Sequence, residues 1–228
     1  MLTKEKRKIF LVDTLPMILA GAGILIFSIL NKQHPVKTLP TLISLAVMLL
    51  AARANRYSYL LGAMNVLLYT VGYFMEGLVF SIVSAIFISF PMQMWTFFNW
   101  KRHTTGRQVH FKRLNPRQWA LSLGGLGVLW GLCMLFLRPL FASAAHPGLD
   151  ALMFVIDIIS TLLTALVFVE SQYIKSAGTL VYLVMWGAIV LEHPENANYL
   201  IIGFYNVWRV FQCAIVWTKQ AKLEKQNA

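Results

Sequence analysis

Two fully charged residues, Asp157 and Arg209, interrupt the middle of otherwise apolar stretches, each on a helix side shared with hydroxyl, amide or aromatic side chains. In hydrocarbon an unpaired charge costs about 3 kcal/mol or more. A carboxylate and a guanidinium at that depth must therefore neutralise each other or line a wet cavity. The first case is a structural ion pair. The second is direct contact with a ligand, or proton coupling. Pro91 frees the carbonyl of Phe87 and adds a kink that is either static or a hinge.

The polar residues around these charges recur at helical spacing. At 100° per residue, Ser58, Gly62, Asn65, Tyr69, Gly72 and Tyr73 fall within an arc of about 100°. Ser89, Gln93, Thr96 and Trp100 share about 60°. Asp150, Asp157, Ser160, Thr161 and Thr164 lie on one side of their stretch, as do Lys175, Thr179, Tyr182 and Trp186 of theirs. Tyr205, Asn206, Arg209, Gln212 and Cys213 occupy about 120°. Interhelical hydrogen bonds of about 0.6 kcal/mol account for any single Ser or Thr. Asn, Gln, Asp, Arg and several aromatics together exceed what packing requires. Amides that read a polar edge, with Tyr and Trp rings against a flat face, suit a largely neutral heterocyclic ligand bearing hydroxyls. The candidate binding residues are Asn65, Tyr69, Gln93, Thr161, Trp186, Tyr205 and Asn206, with Asp157, Arg209 and Pro91 as ion-pair or gating candidates.

Catalysis is not indicated. The apolar stretches lack G-x-S-x-G, H-E-x-x-H and paired carboxylates, so nothing activates a nucleophile. No G-x-x-x-x-G-K-[ST] loop is present to bind ATP. His34, His103, His110, His146 and His193 fall in loops or at helix ends without ligand spacing, so neither a metal nor a cofactor is expected. Cys133 and Cys213 lie near opposite membrane faces and read as small buried apolar residues.

The elements that position these side chains are eight apolar stretches, near 10–30, 39–54, 57–75, 77–99, 118–138, 150–172, 177–192 and 198–218. About 20 apolar residues span a ~30 Å hydrocarbon core. With 58% hydrophobic and 13% charged residues, the chain reads as one all-α polytopic membrane domain. No cleavage motif follows the first stretch, so that helix is expected to be retained. The net charge of +11 is distributed by topology. Segments on one side hold Lys4, Lys6, Arg7, Lys8, Arg53, Arg56, the cations between 101 and 117, Lys175, Lys219, Lys222 and Lys225. The other side holds only Lys32, Lys37 and Arg138. This asymmetry places both termini in the cytoplasm of a multi-pass cell-membrane protein and removes nucleic acid as a partner.

Spans two to four and six to eight form two triplets of equal orientation around a connecting helix, the pattern of parallel transporter repeats. The expected arrangement is 1+3+1+3: an extra helix in 1–38, a first triplet in 39–100, a basic loop and linker helix in 101–140, and a second triplet in 150–218. The loop from Lys101 to Arg117 reads as a solvated linker attracted to anionic lipid. Gly124, Gly127 and Gly131 share one side of the linker helix, where another helix is expected to approach closely.

Residues 51–102 contain A-R-A-N-R, Y-L-L-G, N-V-L-L-Y, G-L at 77–78, P-M-Q at 91–93 and a terminal W-K-R, and L-D-A-L stands at 149–152. In these motifs the chain resembles the PnuC-type nicotinamide riboside transporter family. The resemblance implies a SWEET-like pair of three-helix bundles that facilitates uptake of a vitamin or nucleoside, trapped by phosphorylation inside the cell. By position it marks Asn65, Tyr69, Pro91, Gln93 and Trp100. The family's W-x-x-W-x-x-x-N signature is replaced by E-S-Q-Y-I-K-S-A-G-T-L-V-Y-L-V-M-W, where Trp186 alone lies nearby. The substrate thus stays open among nicotinamide riboside, thiamine, riboflavin and deoxynucleosides. A membrane-embedded binding subunit of an ATP-driven vitamin importer is the alternative. The expected partners are the small-molecule substrate and the lipid bilayer, with a homo-oligomer left open.

Overall fold

A computed structural model of the chain describes residues 10–105, 108–137 and 146–227. Arg107, Arg138 and the first four cations of the charge argument lie outside those residues. Eight helices among them are long and apolar enough to cross a membrane. They are α1 (Leu15–Leu30, entered through a π turn at Phe10–Thr14), α2 (Pro35–Ala52), α3 (Tyr57–Met75) and α4 (Val79–Arg102), followed by α5 (Pro116–Leu132), α6 (Pro147–Ala165), α7 (Ser171–Glu192) and α8 (Ala197–Asn227). One two-residue ladder, Thr104–Thr105 against Gln108–Val109, interrupts the helical pattern.

Helix starts follow from local chemistry. Proline stands in the first turn of α1, α2, α5 and α6, where its missing N–H would have had no intrahelical partner. Asn115 and Gln118 close a reciprocal capping box on α5. The α3–α4 turn hinges on Gly77 at φ 63°, which lets Leu78 N–H reach the Tyr73 carbonyl at 2.9 Å and buries Leu78 completely. Within α4, Ser84–Ser89 is a π segment and Phe90–Arg102 resumes the α-helix with Pro91 in its first turn. The wider π turn absorbs the ring that an unbroken α-helix would have to bend around.

α3 packs between α2 and α4, and α7 between α6 and α8. The two groups meet where α4 faces α6 and where α2 faces α8. α1 lies across α8 and α2, while α5 packs chiefly on α6. α5 has no buried residue, and the sites of Gly124, Gly127 and Gly131 have nothing within 4 Å. Among the described residues, no helix therefore approaches this stripe closely. α5 instead turns Trp119 and Leu126, roughly 120° away around its axis, into the α6 core.

One end of the bundle carries Arg53, Arg56, Lys101, Arg102, Lys112 and Lys219 and is called the basic end below. The 101–117 loop is not merely solvated there. Val109 and Phe111 are buried, and Phe111 stacks on Trp217 with centroids 4.6 Å apart. Trp100 meets Phe111, Trp217 and Tyr59 at 5.7, 5.3 and 4.7 Å. Lys112 backbone groups bond to Val167 and Val169, and Glu170 accepts from Leu114 N–H at 3.1 Å, clamping the loop to the α6–α7 turn. At the far end, Trp186 stacks on Tyr199 at 3.9 Å, with Tyr69, Tyr73 and Tyr182 beside them. Lys37, buried there, donates to Glu76 at 2.7 Å and to Asn196 at 3.0 Å.

Candidate functional site

Between these two aromatic clusters lies a cavity of about 260 Å³. Its polar lining comes from the faces that the helical periodicity sets inward. α3 contributes Ser58, Asn65, Tyr69 and Tyr73, and α4 contributes Gln93. α6 supplies Asp157, Ser160, Thr161 and Thr164, α7 supplies Lys175, Thr179 and Tyr182, and α8 supplies Asn206. α2 closes one wall with Val47, Met48 and Ala51. A second space of about 150 Å³ shares Tyr73, Gln93 and Asp157 and reaches Ser81, Ser84 and Ser89.

Asn65 Nδ2 donates to the Pro40 carbonyl at 3.0 Å and to Ser44 Oγ at 2.9 Å, and Ser44 donates in turn to Tyr69 at 3.0 Å. That chain fixes the amide and leaves Asn65 Oδ1 buried without a partner among the described residues. Asn206 Oδ1 is in the same condition. A buried acceptor left open costs about 1–3 kcal/mol, so two residues of the lining each carry an oxygen that would gain by accepting an N–H or O–H.

Asp157 is the cavity's carboxylate. It accepts from Ser84 at 2.8 Å, from Ser89, and from Thr161 at 3.3 Å. The π segment of α4 aims those two serines at α6. Lys175 shares the cavity, yet no ion pair joins it to Asp157 among the described residues. Two turns nearer the far end, Asp150 caps α4 by accepting from the Phe80 and Ser81 N–H groups at 2.9 and 3.2 Å. Asp150 thereby fixes where α4 begins against α6.

Gln93 lies against Gly62, where a methyl group would collide with the Gln93 amide oxygen. Gly62→Ala is expected to lower substrate affinity on the order of tenfold through this overpacking while the protein still folds. Gly124→Ala, in open space, is the neutral control, and equilibrium binding to both purified variants checks the pair.

The match that assigns the chain covers residues 34–219, which fit the model described as Nicotinamide mononucleotide transporter. The chain belongs to the nicotinamide mononucleotide transporter family. The fold of this transporter is similar to that in the crystal structure of the Vitamin B3 transporter PnuC, with a TM-score of 0.80 and 18% identity over 92% of each chain. No curated protein matches the sequence.

In this family member, Asn65, Tyr69, Gln93, Thr161, Asn206 and Asp157 come together on one cavity. Arg209 does not. It is fully buried against α1, where it donates to Asp13 Oδ1 at 2.9 Å, to the Asp13 carbonyl, to Gln212 at 2.7 Å and to Tyr205 at 2.8 Å. The expected alternative of a pair with Asp157 is thus replaced by a pair with Asp13, because the guanidinium turns toward α1 rather than toward α6. Tyr205 follows it, donating to the Leu45 carbonyl at 3.1 Å. Trp186 sits behind Tyr182 with centroids 6.0 Å apart, in a layer outside the lining, because Tyr199 covers its face. Pro91 is exposed on the outer side of α4. Lys175, Tyr182, Tyr73 and Ser160 line the cavity without having been singled out, although each lay on or beside an inward stripe.

Proposed function

We propose that the chain equilibrates nicotinamide riboside, or a closely related vitamin or nucleoside, across the membrane without ATP, the two triplets rocking about the central cavity. The basic end is the cytoplasmic one, and phosphorylation inside the cell then retains the substrate. The observation that carries this reading is the lining: two residues whose carboxamide oxygens have no partner and one carboxylate with no ion pair among the described residues, set among tyrosine rings at mid-depth. Ribose hydroxyls and a carboxamide N–H₂ satisfy the oxygens. Tyr69, Tyr73 and Tyr182 line the same space and bring aromatic surface to a heterocycle.

A permanently cationic pyridinium ring supplies the charge that Asp157 lacks, which favours nicotinamide riboside over riboflavin or a deoxynucleoside. The unphosphorylated nucleoside is preferred to the mononucleotide because phosphate recognition draws on clustered Arg. Lys175 is the sole cation of the lining among the described residues, and Arg209 is committed to Asp13.

The test is uptake into liposomes holding the purified chain alone, with nicotinamide riboside, thiamine, riboflavin and deoxynucleosides compared and neither ATP nor an ion gradient supplied. Equilibration of nicotinamide riboside ahead of the others is expected. Uptake of none until an ATPase partner is added would overturn the reading. Removing one open acceptor with Asn206→Ala, or the amide with Gln93→Ala, is expected to weaken binding about fivefold to tenfold, the range of one neutral hydrogen bond. Calorimetry on the folded, detergent-extracted variants checks this, and unchanged affinity in both moves the site elsewhere.

A further inference from the structure

A groove of about 570 Å³ runs along the lipid-facing side of α7 and α8 near the basic end and shares no lining residue with the central cavity. Its floor is apolar: Ala214 is buried, while Phe211 and Ile215 expose about half of their surface, 50% and 55%. Positions 211, 215, 218 and 222 recur at i, i+4, i+7 and i+11, so Lys222 continues the stripe of Phe211 and Ile215, with Lys219 beside it.

α8 begins at Ala197, and about 20 residues at ~1.5 Å each cross a ~30 Å core. Phe211 and Ile215 therefore lie at acyl-chain depth, whereas Lys219 and Lys222 fall at the headgroups. Where the two zones meet, Tyr173 and Thr218 share a hydrogen bond of 2.8 Å. Both lysines are exposed, and neither has an acidic partner among the described residues.

We propose that this groove binds one anionic phospholipid, its acyl chain on the Phe211–Ile215 floor and its phosphodiester between Lys219 and Lys222. Charge complementarity selects the occupant. A soluble anion has no use for the apolar floor, and an apolar helix leaves two ammonium groups unmatched. Basic pockets between membrane helices hold acidic headgroups by this combination. The site stands apart from the substrate reading and requires only that the basic end face a leaflet containing anionic lipid.

The test uses the full chain, delipidated in neutral detergent and titrated with dioleoylphosphatidylglycerol or dioleoylphosphatidylcholine, with retained lipid counted by native mass spectrometry and unfolding followed thermally. The phosphatidylglycerol is expected to be retained and to raise Tm, and the phosphatidylcholine is not. Lys219→Gln with Lys222→Gln, both at exposed positions, is expected to weaken phosphatidylglycerol retention about 25-fold, roughly fivefold per lysine. Ile215→Ser is expected to weaken it with both charges kept. Equal retention of the two lipids, or undiminished phosphatidylglycerol retention in the double-lysine variant, would overturn the proposal. So would full displacement by inorganic phosphate, or a change in subunit number rather than lipid count in that variant.

Discussion

Asp157→Asn is expected to weaken binding of nicotinamide riboside about 30-fold while leaving its uncharged dihydro form bound nearly as before. The carboxylate stands at mid-depth in α6, oriented by Ser84, Ser89 and Thr161, and no cation lies within ion-pair distance among the described residues. Under the proposed function, a charge so placed in a low-dielectric wall is satisfied by the ligand's own charge. Removing one partner of a desolvated charge pair costs about 2 kcal/mol or more, hence the ~30-fold figure. Asn keeps an acceptor for the serine hydroxyls, so the α4–α6 contact survives. The reduced ligand has the same ribose and carboxamide but no ring charge, and it separates electrostatics from shape. Calorimetry with both ligands reads the difference. Equal losses for the two would make Asp157 a structural brace of the π segment, and no loss for either would remove it from the site.

The spans were legible because bilayer thickness imposes one length on every crossing helix and loops collect the charges. The cavity walls on α3, α6 and α7 were legible for a different reason. Polar groups in lipid are costly, so Asn65, Asp157 and Thr179 had to face inward, and a 3.6-residue period shows which residues share that direction. What periodicity cannot give is the azimuth at which a polar arc passes from the cavity to a neighbouring helix. Trp186 and Tyr205 lie on the right helices, but Tyr199 covers one and Arg209 holds the other. Val47, Met48 and Ala51 escaped notice because an apolar wall of a cavity has the composition of a lipid-facing surface. Phe111 escaped because one aromatic in a basic loop carries no period, although it completes the Trp100–Trp217 cluster. The glycine stripe of α5 meets no helix of this chain among the described residues, since small residues permit a close approach without supplying the partner.

Asp13→Ala is expected to destabilise the protein by about 3 to 5 kcal/mol, although Asp13 touches no part of the cavity. Arg209 is fully buried, and Asp13 is its only carboxylate among the described residues. Their separation of 196 positions explains why sequence spacing did not pair them. Losing Asp13 strands a guanidinium among Tyr205, Gln212 and α1, and the uncompensated charge dominates the cost. The exposed Arg53 contact to the same carboxylate, at 3.2 Å, adds little. Replacing both partners together, Asp13→Leu with Arg209→Met, removes the buried charge and is expected to recover most of the lost stability, as apolar substitutes for buried ion pairs do. Thermal unfolding in detergent compares the three proteins. The double variant is also expected to bind nicotinamide riboside with unchanged affinity, because Asn206 keeps its place one turn away on α8. A double variant that folds but no longer binds would return Arg209 to the substrate pathway, whereas an Asp13→Ala protein as stable as the parent would show that Tyr205, Gln212 and the backbone carbonyl of residue 13 suffice to hold the guanidinium.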